Sequence, residues 1–215
     1  MGAWVDMVFV LLVVIDLFVL ASSRLGAVIR AVGVQGALLA LLTVLLASSA
    51  HDLGHVLVLA IGALAIKAML IPWLMFRAIR EAAIRREMEP VIGFVPSMVL
   101  AGAGVALAFA FSGGLPLPSP GKHPFLVPTA LATVWCGFLL VVSRRKAVTQ
   151  VLGFLMLENG VFVFGLLLSD IMPVMVEAGV LLDLFAAVFV MGIVLFHINR
   201  EFSSLDTEKL SALKD

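Results

Sequence analysis

The stretch VTQVLGFLMLENGVFVFGLLL, residues 148–168, decides the fold. It is apolar for the length a helix needs to cross a bilayer core of about 30 Å, which takes about 20 residues. It nevertheless carries Glu158 and Asn159 at its centre. A second run, residues 173–197, is equally apolar and carries Asp183. An ionisable group at that depth costs roughly 2.5 to 3.5 kcal/mol on insertion scales. Chains that keep such groups use them for protons, for ions or for a buried partner charge.

Composition agrees with a life in lipid. Of 215 residues, 63% are hydrophobic and 13% charged, and mean hydropathy is +1.20. Soluble domains have about 45 to 50% apolar and about 25% charged residues. The formal net charge is zero, so nothing points to a nucleic-acid partner. The single cysteine, Cys136, excludes an internal disulfide framework and a cysteine-built metal or iron–sulfur site. No basic residue precedes Arg24, so the first apolar run is expected to stay as a helix rather than be cleaved.

Runs of spanning length predict an all-α, polytopic membrane protein with about seven transmembrane helices, at residues 3–22, 32–50, 55–76, 91–111, 125–142, 148–168 and 173–197. Residues 77–90 read as a charged amphipathic segment at the interface. Residues 112–124, with Pro116, Pro118 and Pro120, read as an irregular loop. With the N-terminus outside and the C-terminus inside, twelve basic residues fall on the inner side: Arg24, Arg30, Arg77, Arg80, Arg85, Arg86, Arg144, Arg145, Lys146, Arg200, Lys209 and Lys214. Only Lys122 falls outside, and Lys67 lies within a span, so the positive-inside rule selects this orientation. At an offset of 120 residues, Ser23, Arg24, Ala27, Val28 and Gly33 match Ser143, Arg144, Ala147, Val148 and Gly153. That echo is compatible with two parallel three-helix units, or with coincidence between Leu/Val-rich strings.

A rise of 1.5 Å per residue puts Glu158 and Asp183 each about 15 Å from the outer surface, level with one another, and Lys67 at nearly the same depth. Burial moves a carboxyl and an amine toward neutrality, so a row of Glu158, Lys67 and Asp183 bridged by water reads as a lateral proton wire. Asn159 and His55 offer further hydrogen bonds, and Pro72 loosens the backbone one turn from Lys67. The alternative is a static polar clasp that holds helices together. Glu177, about 6 Å inside its span, reads as interfacial or as a proton port. Asp16, two thirds of the way through the first span, reads either as an accessory to that row or as facing a partner subunit. His51 and His55 are four residues apart, with only Asp52 nearby as a third ligand, and read as outer-surface residues. No nucleophile–base set, phosphate loop or nucleotide fingerprint occurs.

Several segments carry a family likeness. Ser143-Arg-Arg-Lys through Leu157-Glu158-Asn159-Gly160, then Glu177-Ala-Gly-Val-Leu-Leu-Asp183, then the tail from Leu205 to Asp215, resemble component E of hydrogenase-4-type complexes. The likeness runs across the chain and includes Ile66-Lys67 to Pro72. The last three predicted spans also resemble the K-type membrane subunit of respiratory complex I. More distantly they resemble the C-type subunit of multi-subunit cation/proton antiporters. Glu158 matches the middle-span glutamate of those relatives, and Asp183 approximates the last-span one with a register shift and a shorter acid. The four N-terminal spans, with Lys67, have no counterpart in the K-type subunit. The resemblance divides the chain into a four-helix portion (1–111), the loop 112–124, a K-type-like unit (125–199) and an inner tail (200–215).

The resemblance implies a subunit of the cell inner membrane with no redox site of its own, in a proton-pumping redox complex. Its implied partners are lipid, antiporter-like membrane subunits, a heel membrane subunit and a peripheral hydrogenase-like module. Nickel–iron and iron–sulfur centres are implied in those partners and no cofactor in this chain. The alternatives are a subunit that only anchors its neighbours and a component of an antiporter without redox function.

Overall fold

Lipid offers no partner for a backbone N–H or C=O, so a spanning segment must satisfy its own, and a helix does so residue by residue. The computed structural model describes residues 2–46, 53–81, 91–115, 123–167 and 192. Among these there are helices and no strand: α1 (Gly2–Ala21), α2 (Leu25–Leu46), α3 (Leu53–Ala63), α4 (Ile71–Glu81), α5 (Phe94–Ser112), α6 (Leu126–Ser143) and α7 (Ala147–Leu167). A π-helical stretch, Leu64–Leu70, joins α3 to α4. Six stretches are long and apolar enough to cross a membrane: Gly2–Ala21, Leu25–Leu46, Val56–Arg77, Phe94–Ser112, Leu126–Ser143 and Val148–Leu167. The chain is therefore an all-helical, multi-pass membrane protein. Apart from Gly192, the expected seventh span and the tail lie outside the described residues.

One boundary differs plainly from expectation. The second helix begins at Leu25, not at residue 32, and so includes Arg30. Arg30 stays exposed and donates from Nε to the Gly26 carbonyl, one turn back. The long stem lets the charge reach the interface while its backbone stays helical.

The π-helical stretch has a local cause. Pro72 has no N–H to give the carbonyl four residues before it, and its ring crowds that carbonyl. The turn widens, and the Ile71 N–H bonds the Ile66 carbonyl, five residues back. Such insertions concentrate at functional positions, and this one holds Lys67.

Glycines set the helix contacts. In membranes small residues let backbones approach closely. A Cβ on Gly153 would lie 2.9 Å from the Gly137 carbonyl, and one on Gly160 would lie 2.6 Å from the Val134 nitrogen. These contacts lock α7 against α6 and fix which way Glu158 and Asn159 face. At the ends of α1 and α6, Arg144 is buried. It donates to the carbonyls of Leu20 (2.9 Å) and Ile92 (3.2 Å), with its guanidinium 4.8 Å from the Phe94 ring centre. Loss of water around it lowers its proton affinity from the ordinary arginine value. It ties the ends of α1 and α6 and the start of α5 to one end of the bundle.

Two apolar cores result. One gathers Val19, Leu20, Val28, Ile29, Leu140 and Leu152 with their neighbours; the other gathers Val8, Leu12, Leu39, Leu42, Ala130 and Val163 with theirs. Along α1, α2, α6 and α7 alike, one polar position separates the two: Asp16, Gln35, Thr133 and Glu158–Asn159.

Candidate functional site: a buried polar layer

The polar positions meet. The π-helical stretch delivers Lys67, and its Nζ donates to Asn159 Oδ1 on α7 at 2.9 Å. Asn159 Nδ2 donates to Gln35 Oε1 on α2 at 3.2 Å. Gln35 Nε2 donates in turn to Asp16 Oδ1 on α1. Thr133 Oγ1 on α6 donates to the other carboxylate oxygen, Asp16 Oδ2, at 2.7 Å. One hydrogen-bonded chain thus links five elements. Every member is buried: Asp16 and Gln35 are 0% exposed, Thr133 1%, Asn159 3% and Lys67 4%. Buried polar groups are stable only when bonded in this way.

Glu158 lies beside the Lys67 end. Val32, Lys67, Ile71, Leu155, Glu158 and Asn159 line one small cavity, with about 10 Å³ of space for the centre of a water molecule. That is room for about one water. The ammonium also lies over the Phe162 ring, with Lys67 Nζ 5.1 Å from the ring centre. Charges attract strongly in such a dry setting. An ammonium and a carboxylate on one water-sized cavity can exchange a proton: the carboxylate gains it, the amine loses it, and both become neutral.

The close approach of Lys67 has its own enabling residues. A Cβ on Gly36 would sit 2.6 Å from Lys67 Cβ, and one on Gly33 would sit 2.9 Å from Pro72 Cγ. Only glycine at these places lets α2 lie against the widened turn.

Lys67, Glu158 and Asn159, expected at one depth, are brought together. Asp16 is also in this group, which sets aside the reading that it faces a partner subunit. It points into its own bundle because Gln35 and Thr133 supply the donors its carboxylate needs. Asp183 and Glu177 lie outside the described residues, as do His51 and the side chain of His55. Sequence reasoning missed Gln35 and Thr133. The signal was present: Gln35 stands between Val32 and Leu39 on one helical face, and Thr133 between Ala130 and Cys136. Among the described residues no three His, Cys, Asp or Glu side chains are grouped to hold a metal.

Comparison with known proteins adds kinship to this geometry. Residues 125–215 match the family model described as NADH-ubiquinone/plastoquinone oxidoreductase chain 4L. An uncharacterized protein of Mycobacterium tuberculosis is 34% identical over 205 residues, covering 95% of this chain and 93% of that one. Hydrogenase-4 component E of Escherichia coli is 30% identical over 161 residues, 74% of each chain. The protein so named in Shigella flexneri matches to the same extent. No solved structure matches.

Proposed function

The chain belongs to the hydrogenase-4 component E family and is a multi-pass membrane subunit of a complex I-like assembly, and from that premise we propose that it relays protons along a mid-membrane row in which Glu158 and Lys67 exchange them. The observation that carries this reading is the shared cavity of Glu158 and Lys67, sized for about one water. A proton entering from a neighbouring subunit neutralises Glu158. Lys67, charged or neutral, is the second station, and Asp183, in the seventh span expected from the sequence, is the third. The hydrogen bond that Lys67 Nζ donates to Asn159 Oδ1 and the face of the Phe162 ring hold the ammonium at the cavity.

In this reading the chain carries no redox centre. Electron transfer in a peripheral hydrogenase-like module, with its own nickel–iron and iron–sulfur centres, supplies the drive. Antiporter-like and heel membrane subunits flank the chain in the cytoplasmic membrane. The N-terminus lies outside, which puts the buried Arg144 and the basic residues beside it on the inner face.

The five-element hydrogen-bond chain favours a second reading, a static clasp that holds the membrane arm together. Glu158→Gln in the purified complex separates the two. Relay predicts an assembled complex whose redox turnover is uncoupled from proton movement or slowed at least tenfold. An assembled variant that pumps like the parent removes Glu158 from the relay, and failure to assemble favours the clasp. Genomic neighbours separate a redox pump from an antiporter: nickel–iron hydrogenase-like genes favour the first, antiporter genes alone the second.

A further inference from the structure

The hydrogen-bond chain has a direction. From Lys67 through Asn159 and Gln35 to Asp16, each nitrogen donates toward Asp16 and each oxygen faces Lys67. The chain begins at a side chain that, charged, can only donate, and ends at one that, charged, can only accept. Thr133 adds a second donor at the Asp16 end. Two amides cannot hand a proton along, because each holds its N–H and its acceptor on different atoms and would have to pass through an imidic form. They can transmit polarisation and orientation.

We propose that Asp16 is the buried counter-charge of Lys67, a positioning residue that orients the ammonium at the Glu158 cavity through Gln35 and Asn159 while its own proton stays out of the row. The proposal deepens the relay reading and rests on it for its functional consequence. Among the described residues, the ionisable groups facing this chain are Glu158 beside Lys67 and the Cys136 thiol, one turn from Thr133 on α6. Losing the anion or the Gln35 link lets the ammonium turn away from the Glu158 cavity, so fewer protons cross for each redox turnover.

The test uses the intact complex in liposomes, with protons translocated per redox turnover as the readout. Asp16→Asn and Gln35→Met each lower that ratio at least twofold. The double variant Asp16→Asn/Gln35→Glu returns an anion one link nearer to Lys67 and restores the ratio. A merely structural role would lower turnover and translocation together and leave the ratio where it was. An unchanged ratio in Gln35→Met, which keeps both charges and cuts the chain, overturns the proposal even where Asp16→Asn does not assemble.

A second readout needs no turnover. Infrared difference spectra of resting complexes with labelled aspartate are expected to show the Asp16 carboxylate band replaced by a protonated-carboxyl band in Lys67→Met. A carboxylate band that persists in Lys67→Met overturns the counter-charge assignment whatever the pumping does. If instead Glu158→Gln pumps normally while this spectral coupling holds, the relay reading falls and the counter-charge stands.

Discussion

Gly36→Ala tests the approach of α2 to the turn that carries Lys67. The new methyl would lie 2.6 Å from Lys67 Cβ, 2.9 Å from the Lys67 carbonyl carbon and 3.1 Å from its oxygen. Carbon atoms rest at about 3.5 to 4.0 Å, so the elements must part by about 1 Å. Two of the three contacts are backbone, which cannot rotate away. The steric cost falls at the upper part of the overpacking range, about 2 to 3 kcal/mol. Alanine recovers about 1 kcal/mol of helix propensity, leaving a net loss of about 1 to 2 kcal/mol. Gly62→Ala is the matched control, because a Cβ there meets nothing within 4 Å. It keeps the propensity gain without the clash, so the two variants should differ by about 2 to 3 kcal/mol. Unfolding midpoints in mixed detergent micelles measure the difference. Gly36→Ala should also pump more slowly, since Lys67 moves off Asn159. Equal midpoints for the two variants would refute the close contact.

Two further outcomes follow from the local geometry. Pro72→Ala restores the missing N–H and lets residues 64–70 rewind as an α-helix; stability should hold or rise, while pumping falls because the rewinding swings Lys67 away from Asn159. Preserved pumping with the π-helical stretch gone in a structure of that variant would break the link between the widened turn and the site. Arg144→Met strips two carbonyls of a charged donor and should lower stability by about 2 to 3 kcal/mol; Arg144→Lys should recover less than half, because one ammonium cannot span the Leu20 and Ile92 carbonyls. Unfolding midpoints check both, and a neutral Arg144→Met would show that the clamp contributes nothing.

The helical class and six spans were legible because hydropathy and length alone determine them. Lys67, Glu158 and Asn159 could be set level by counting rise, since depth along a helix needs only its ends. Rotation about the axis needs more. Asp16 was left with two readings because its donors, Gln35 and Thr133, sit 19 and 117 residues away. Neither looks costly in a hydropathy scan, and a threonine can bond its own helix. Arg30 was assigned to a loop because its charge was given more weight than its snorkelling stem. Pro72 was recognised as a weak point, but whether a proline kinks, breaks or widens a helix depends on what packs against it, here Gly33.

Between the two apolar cores, each of five elements contributes a fragment of the polar layer, and each of the bonds that join the fragments crosses from one element to another. Helices enter the bilayer one by one and associate afterwards. During that interval Gln35, Asp16 and Lys67 face lipid or stray water. Apolar knobs alone would tolerate a helix displaced by one turn, about 5.4 Å, since leucine meets leucine again. The polar layer does not, because the same slip would drive Gln35 or Asn159 into hydrocarbon. The layer therefore acts as a vernier for assembly: only one vertical setting of the helices brings all its marks into line.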